Sequence, residues 1–205
     1  MIDTLGADME GTAEPDVAEH PRLVGRWVTL RPLRTSDMPF FFELMHDERI
    51  GFRWRFRGQT PSFEAFTASM WQGVTAQFVI EDKKGAPLGL VVLYNVDHRH
   101  GIAYLATMVR PDLVGRGWPM EGLQLFCDYV FRVWALRKIY AEALEFNYAQ
   151  FASWSERVFT VEGLLRDHEF YDGRYWDLYI FSTTREAWEG YRRRPLAETQ
   201  RSDAR

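Results

Sequence analysis

From Met108 to Glu121 the chain reads Met-Val-Arg-Pro-Asp-Leu-Val-Gly-Arg-Gly-Trp-Pro-Met-Glu. A strand-like run passes through Gly115-Arg116-Gly117 and opens directly into a helix-like one. The first N–H groups of a helix have no intrahelical acceptor, and the helix dipole adds partial positive charge there, so this order suits an anion. Two glycines let the backbone approach a pyrophosphate closely. A Gly-x-Gly turn alone is a weak signal, because about as many such turns are plain tight loops. Two nucleotide motifs are excluded: Met120 stands where a Rossmann turn needs its third glycine, and no Gly-Lys-Ser/Thr follows. The turn also comes after four expected strands, whereas a Rossmann turn follows the first.

Other chemically capable residues read more plainly. Cys127 sits among Leu123, Phe126 and Val130 in the helix after the turn, with no cation at helical spacing to activate it, so it reads as a buried thiol. His98 and His100 flank Arg99 in an expected turn, and no further ligands accompany them, so no metal site is expected. Phe52-Arg53-Trp54-Arg55-Phe56-Arg57 is the most unusual run; if extended, it puts three Arg on one side and three aromatics on the other. An amphipathic edge over the core explains that pattern as readily as a binding surface does.

The elements that must position these residues follow from periodicity and turn chemistry. Trp27–Leu33 alternates as a first strand, and Thr35-Ser36-Asp37 caps a short helix over Phe40–Met45. Pro61 and Ser62 open a helix to about Gln72. Gln77–Asp82 and Leu88–Tyr94 form a hairpin, Tyr104–Arg110 a strand, and Gly117–Trp134 a helix with Pro119 tolerated in its first turn. Lys138–Phe146 reads as a strand, Tyr148–Arg157 as a helix, and Phe159–Asp167 with Tyr175–Ser182 as a hairpin around Asp172-Gly173. Strands and helices interleave in one α/β (α+β) domain with a mixed sheet.

Composition agrees with a globular protein. The 205 residues are 46% hydrophobic, enough for a substantial core. One cysteine precludes an internal disulfide, and no apolar run is long enough to span a bilayer. Residues 1–20 hold six acids and no Lys or Arg, unlike a signal peptide, so a cytoplasmic location with no membrane partner is expected. Residues 192–205 carry five Arg against two acids, which leaves the interior nearly neutral within a net charge of −4. Such a balance gives no field for nucleic acid. The expected organisation is an acidic extension over residues 1–20, a domain over 21–191 and an Arg-containing tail over 192–205.

Several motifs in order resemble the GNAT (GCN5-related N-acetyltransferase) superfamily, and within it the RimJ/RimL-like branch. They are Val28-Thr29-Leu30-Arg31-Pro32-Leu33, Pro111, Gly115-Arg116-Gly117, Glu121, Asn147, the Val158–Gly163 block and Asp172-Gly173-Arg174-Tyr175-Trp176-Asp177. Together they span about residues 23–191. Departures accompany them: in the superfamily's Arg/Gln-x-x-Gly-x-Gly/Ala signature only the central glycine, Gly117, is kept, with Val114 and Pro119 at the other places. Met120 stands where relatives carry Thr or Ser, Val158 replaces a Gly and Gln150 a Ser.

The resemblance implies a mostly antiparallel sheet of about seven strands, flanked by helices and splayed between the fourth and fifth strands. It implies acetyl-CoA as cosubstrate, no metal, and direct attack by an amine acceptor on the thioester in a ternary complex. It places CoA against Met108, Val109, Arg110, Val114, Gly115, Arg116, Gly117, Trp118 and Asn147, with the Val109 N–H as oxyanion donor. Glu142 or Glu145 would serve as base, and regular alternation would turn only one of them into the cleft. Tyr104 stands where many relatives have a Glu. Trp154 replaces the usual tyrosine acid, leaving Ser153, Ser155 or water. Trp54, Arg55 and Arg57 would frame the acceptor, and Arg there favours an anionic or planar group. A non-catalytic acyl-CoA-binding protein and a transferase of larger acyl groups are the alternative readings. A homodimer is compatible with the family.

Overall fold

The computed structural model describes residues 21–54, 56–113, 117–148 and 158–193. In chain order the elements are β1 (Leu23–Val24), β2 (Thr29–Pro32), α1 (Met38–Met45), α2 (Phe63–Ser69), β3 (Val74–Glu81), β4 (Pro87–Asp97), β5 (Ile102–Val109), α3 (Trp118–Val133), β6 (Lys138–Leu144), β7 (Thr160–Tyr171), β8 (Arg174–Thr184) and α4 (Arg185–Arg192). They form one eight-stranded sheet in the order β1-β2-β3-β4-β5-β6-β8-β7. All described pairings are antiparallel except β5 with β6. Parallel neighbours need a crossover, and α3 supplies it.

Strand alternation divides the core into two layers. On one face Val91, Leu93, Ala103, Leu105 and Ile139 pack against Phe126, Cys127 and Val130 of α3. On the other, Val79, Leu90, Val92 and Met108 meet Met38 and Phe41 of α1 and Phe66 of α2. A buried charge network ties α1 to the sheet: Arg31 forks onto Asp37 (2.7 and 2.8 Å) and reaches Glu81 at 2.6 Å. Cys127 is fully buried and desolvation pushes its thiol pKa up, as a structural role requires.

Two elements were invisible in sequence. β1 has only two residues, too few for a period to show. α4 reads Arg-Glu-Ala-Trp-Glu-Gly-Tyr-Arg, with so little apolar content that only its docking explains it. Trp188 is buried and its indole N–H bonds Asp128 at 2.8 Å, while Arg185 caps the end of α3 through the carbonyls of Trp134 (2.7 Å), Leu136 (3.0 Å) and Phe131.

Candidate active site at the parting of two strands

β5 and β6 share three rungs, Ile102 with Lys138, Ala103 with Ile139 and Tyr104 with Tyr140. Beyond Tyr104 and Tyr140 the strands run on to Val109 and Leu144 without another rung, so a cleft opens between them. This is the splay expected between the fourth and fifth strands, displaced by one in the numbering because β1 precedes them.

The backbone of β5 decides what lines that cleft. The Arg110 N–H donates to Leu88 O at 2.9 Å, and Gly89 faces Val109 in an unbroken register. Antiparallel strands alternate between residues bonded to the neighbour and residues directed away from it. Met108 and Arg110 therefore spend their backbone groups on β4. Thr107 and Val109 turn theirs to the open side. Val109 is thus placed as an oxyanion donor must be, and Thr107 joins it by an argument that requires knowing the register. The Met108 side chain goes into the α1–α2 layer.

α3 starts beside the end of β5. Gly117, at φ 78°, is its N-cap, a left-handed conformation that costs glycine nothing. Met120 and Glu121 donate to Gly117 O at 3.1 and 3.3 Å, and Pro119 has no N–H, so Trp118 is the first-turn donor left over among the described residues. The Glu121 carboxylate faces away from any incoming anion, accepting the N–H groups of Arg26 (2.5 Å), Trp27 (2.6 Å) and Val28 (2.9 Å). Val114, Gly115 and Arg116 lie outside the described residues, as do Arg55, Gln150, Ser153, Trp154 and Ser155.

Across the cleft, Glu142 is exposed and shares the α1–α2 side of the sheet with Tyr140. A tyrosine row leads to it: Tyr94 to Tyr104 at 5.8 Å and Tyr104 to Tyr140 at 5.3 Å between ring centroids. Burial, then the nearby Glu142 charge, push the Tyr94 hydroxyl up to about 12, so it stays protonated at any working pH. Glu145 is not on the strand: β6 ends at Leu144, and residues 145–148 already turn helically, which overturns the expected strand to Phe146 and the simple opposite-faces argument. Asn147 follows in that turn and is partly buried.

One wall is aromatic. Phe146 meets Trp176 edge-on at 4.7 Å and Tyr171 at 6.1 Å, and Phe52 stacks on Tyr171. The β7–β8 hairpin, turning at Asp172-Gly173 as expected, thereby leans on the segment after α1. That segment is not extended. Gly51–Arg53 is a 3-10 turn, and N–H bonds from Arg57 to Trp54 O (2.9 Å) and from Gln59 to Phe56 O (2.8 Å) coil the rest. Among the described residues the run does not form a two-sided array: Trp54 is buried in the α1–α2 layer, and Arg57 is exposed and paired with Glu169. His100 bonds Asp97 at 2.7 Å in an exposed turn. Among the described residues no cluster of His, Cys, Asp and Glu is arranged for a metal, and no helix is long and apolar enough to cross a membrane.

With a splayed parallel pair and a glycine-capped helix at its mouth, the comparison with known proteins is decisive. The model of the acetyltransferase (GNAT) domain matches residues 28–153. The chain belongs to the GNAT family. It is similar to spermidine N(1)-acetyltransferase of Vibrio cholerae, 28% identical over 74% of this chain and 89% of that one. It is also similar to the putative ribosomal N-acetyltransferase YdaF of Bacillus subtilis, 23% identical over 82% and 96% of the two chains. The Vibrio cholerae spermidine N-acetyltransferase solved with CoA and spermine superposes with a TM-score of 0.69 at 24% identity, covering 79% of this chain and 98% of the other. A manganese complex of spermidine/spermine N-acetyltransferase SpeG from the same organism gives 0.68 at 25% identity, over 82% and 98%. This GNAT protein is an acetyltransferase that moves the acetyl group of acetyl-CoA to an amine.

Proposed function

We propose that this GNAT enzyme acetylates a primary amine that enters from the α1–α2 side of the cleft, with Glu142 as general base and the Val109 N–H as oxyanion donor. One observation carries the reading: past the Tyr104–Tyr140 rung, the Val109 N–H and the Glu142 carboxylate belong to opposite walls of one opening. The donor set suits the cosubstrate. The Val109 carbonyl, on the open side of β5, offers an acceptor to an amide N–H of a pantetheine arm, and Gly117 and Trp118 offer the start of α3 to phosphate. Asn147 follows β6 on the far side of the opening, while the Arg110 guanidinium holds Asp112 at 2.9 and 3.1 Å. Acetyl-CoA supplies the activated thioester.

A free amine attacks that thioester, but an alkylamine of pKa about 10.4 is mostly protonated near neutrality. Glu142 takes the ammonium proton directly or through water, the Val109 N–H holds the charge that develops on the carbonyl oxygen, and the C–S bond breaks to release CoA as thiolate. The attacking nitrogen gives up its second proton as the amide forms, and that proton reaches the thiolate through water. The relatives named for spermidine support a small amine as acceptor. Among the described residues no strand pairs with the outer edge of β7, and Phe170 of that strand is 63% exposed, which supports a homodimer as the assembly, read by light scattering.

The test is acetyl transfer from acetyl-CoA to a panel of amines, followed by CoA release. Glu142→Gln should lower kcat by about 10²–10⁴ and leave acetyl-CoA binding in place. An unchanged kcat would remove Glu142 from the mechanism.

A further inference from the structure

We infer that Gln77 and Trp54 form a neutral polar anchor for the acceptor, reading a hydroxyl or carboxamide at the end remote from its reactive amine. The inference rests on the proposed acceptor side of the cleft and specifies what enters it.

Gln77 lies in β3 between Ala76 and Phe78, both of which pack in the α3 layer, so alternation turns its side chain to the α1–α2 layer. It is 3% exposed, and neither its amide nitrogen nor its amide oxygen has a hydrogen-bond partner among the described residues. Trp54 is 9% exposed in the same layer, and its Nε1 is likewise unpartnered. Buried polar groups are nearly always paired, and an unpaired one forfeits its hydration without return. Leucine or methionine at position 77 would suit an apolar layer better, so the amide answers to something that binds.

Register shows what it faces. Gln77 lies opposite Val92, and Val92 opposite Ala106. Ala106 is two residues past the last β5–β6 rung, and Glu142 is two residues past it on the other strand. Gln77, Val92, Ala106 and Glu142 therefore make one row on the α1–α2 side, with small or apolar residues between a polar anchor and the base. Two strand spacings and the wider gap of the cleft separate the ends of the row, so about 14 Å is the least distance between backbones. An extended acceptor needs at least roughly six to eight bonds to reach between the two side chains.

The chemistry of the anchor is selective. Trp54 offers a donor, and Gln77 a donor and an acceptor. A hydroxyl or carboxamide satisfies both. A second ammonium accepts from neither donor and would bring a charge into an apolar layer without a counter-ion. The anchor therefore favours amino alcohols and amino amides over diamines and polyamines.

The experiment uses the full chain with aminohexanol, aminohexanamide and diaminohexane, all with the amine at one end. Acetyl transfer is measured for each, and thermal shifts are read for the CoA-saturated protein. The alcohol and the amide should exceed the diamine in kcat/KM and in stabilisation. Gln77→Leu and Trp54→Phe should each collapse that preference about tenfold through KM for the amine, with KM for acetyl-CoA unchanged. A diamine preference, equal shifts from all three, no shift from any, or a preference that survives both substitutions overturns the inference. If amines stabilise the CoA complex in the expected order yet none is acetylated, the anchor stands and the catalytic roles fail.

Discussion

The Tyr104 and Tyr140 rings stack across the last rung shared by β5 and β6, with centroids 5.3 Å apart and planes 27° apart. The pair marks where the strands part, so it sets the apex of the cleft and the starting point of Glu142. An aromatic pair contributes about 0.5–1.5 kcal/mol beyond its buried area. Tyr140→Ala should cost stability on that order or somewhat more and should lower kcat more than it raises KM for acetyl-CoA, as urea titration and initial rates would show. A pure stability loss with unchanged kcat would mean the apex does not position Glu142.

Val109→Pro offers a clean deletion of one N–H. That N–H takes no part in the β4–β5 ladder, so proline removes no sheet bond, and Met108 is already extended as a residue before proline prefers. The variant should fold and lose about 10²–10³ in kcat. Arg110→Pro removes the bond to Leu88 and should instead destabilise the sheet edge, a contrast visible in melting temperature.

Glu121 and Gly25 are one unit. A Cβ on Gly25 would lie 2.7 Å from Glu121 Cδ and 2.9 Å from Leu125 Cδ1, and Glu121 binds the three N–H groups that follow. Glu121→Gln trades a charge-assisted acceptor for an amide that meets donors with donors, a cost of about 1–3 kcal/mol. Gly25→Ala should cost a similar amount, and the double variant less than the sum, because both disturb the same contact. Denaturant titrations of the three variants read this directly.

Tyr94 gives a pH signature. Its folded pKa, about 12, lies above the ordinary 10.0, first through burial and then through Glu142. The folded chain therefore holds this proton more tightly than the unfolded chain. The associated stability is fully present below pH 10 and is lost as pH rises toward 12. Melting temperature should fall more steeply over that window in the parent than in Tyr94→Phe, and equal slopes would contradict the assignment.

Local chemistry was legible wherever neighbours along the chain settle the outcome. Gly117 before Trp118 and Pro119 announces a helix start, and Asp172-Gly173 between alternating runs announces a hairpin. Cys127 among Leu123, Phe126 and Val130 lies on a buried helix face because 3.6-residue periodicity puts it there. Tertiary structure alone decided the rest. The direction of the Val109 N–H depends on β5 pairing with β4 in one register rather than the next. Glu142 and Glu145 part company because β6 ends at Leu144, and Gln77 shares a side of the sheet with Glu142 only through a register that runs across four strands. Helix starts and tight turns are fixed within a few residues of chain, whereas register is set by which distant face must be buried, and a shift of one residue would exchange every side chain between the two layers.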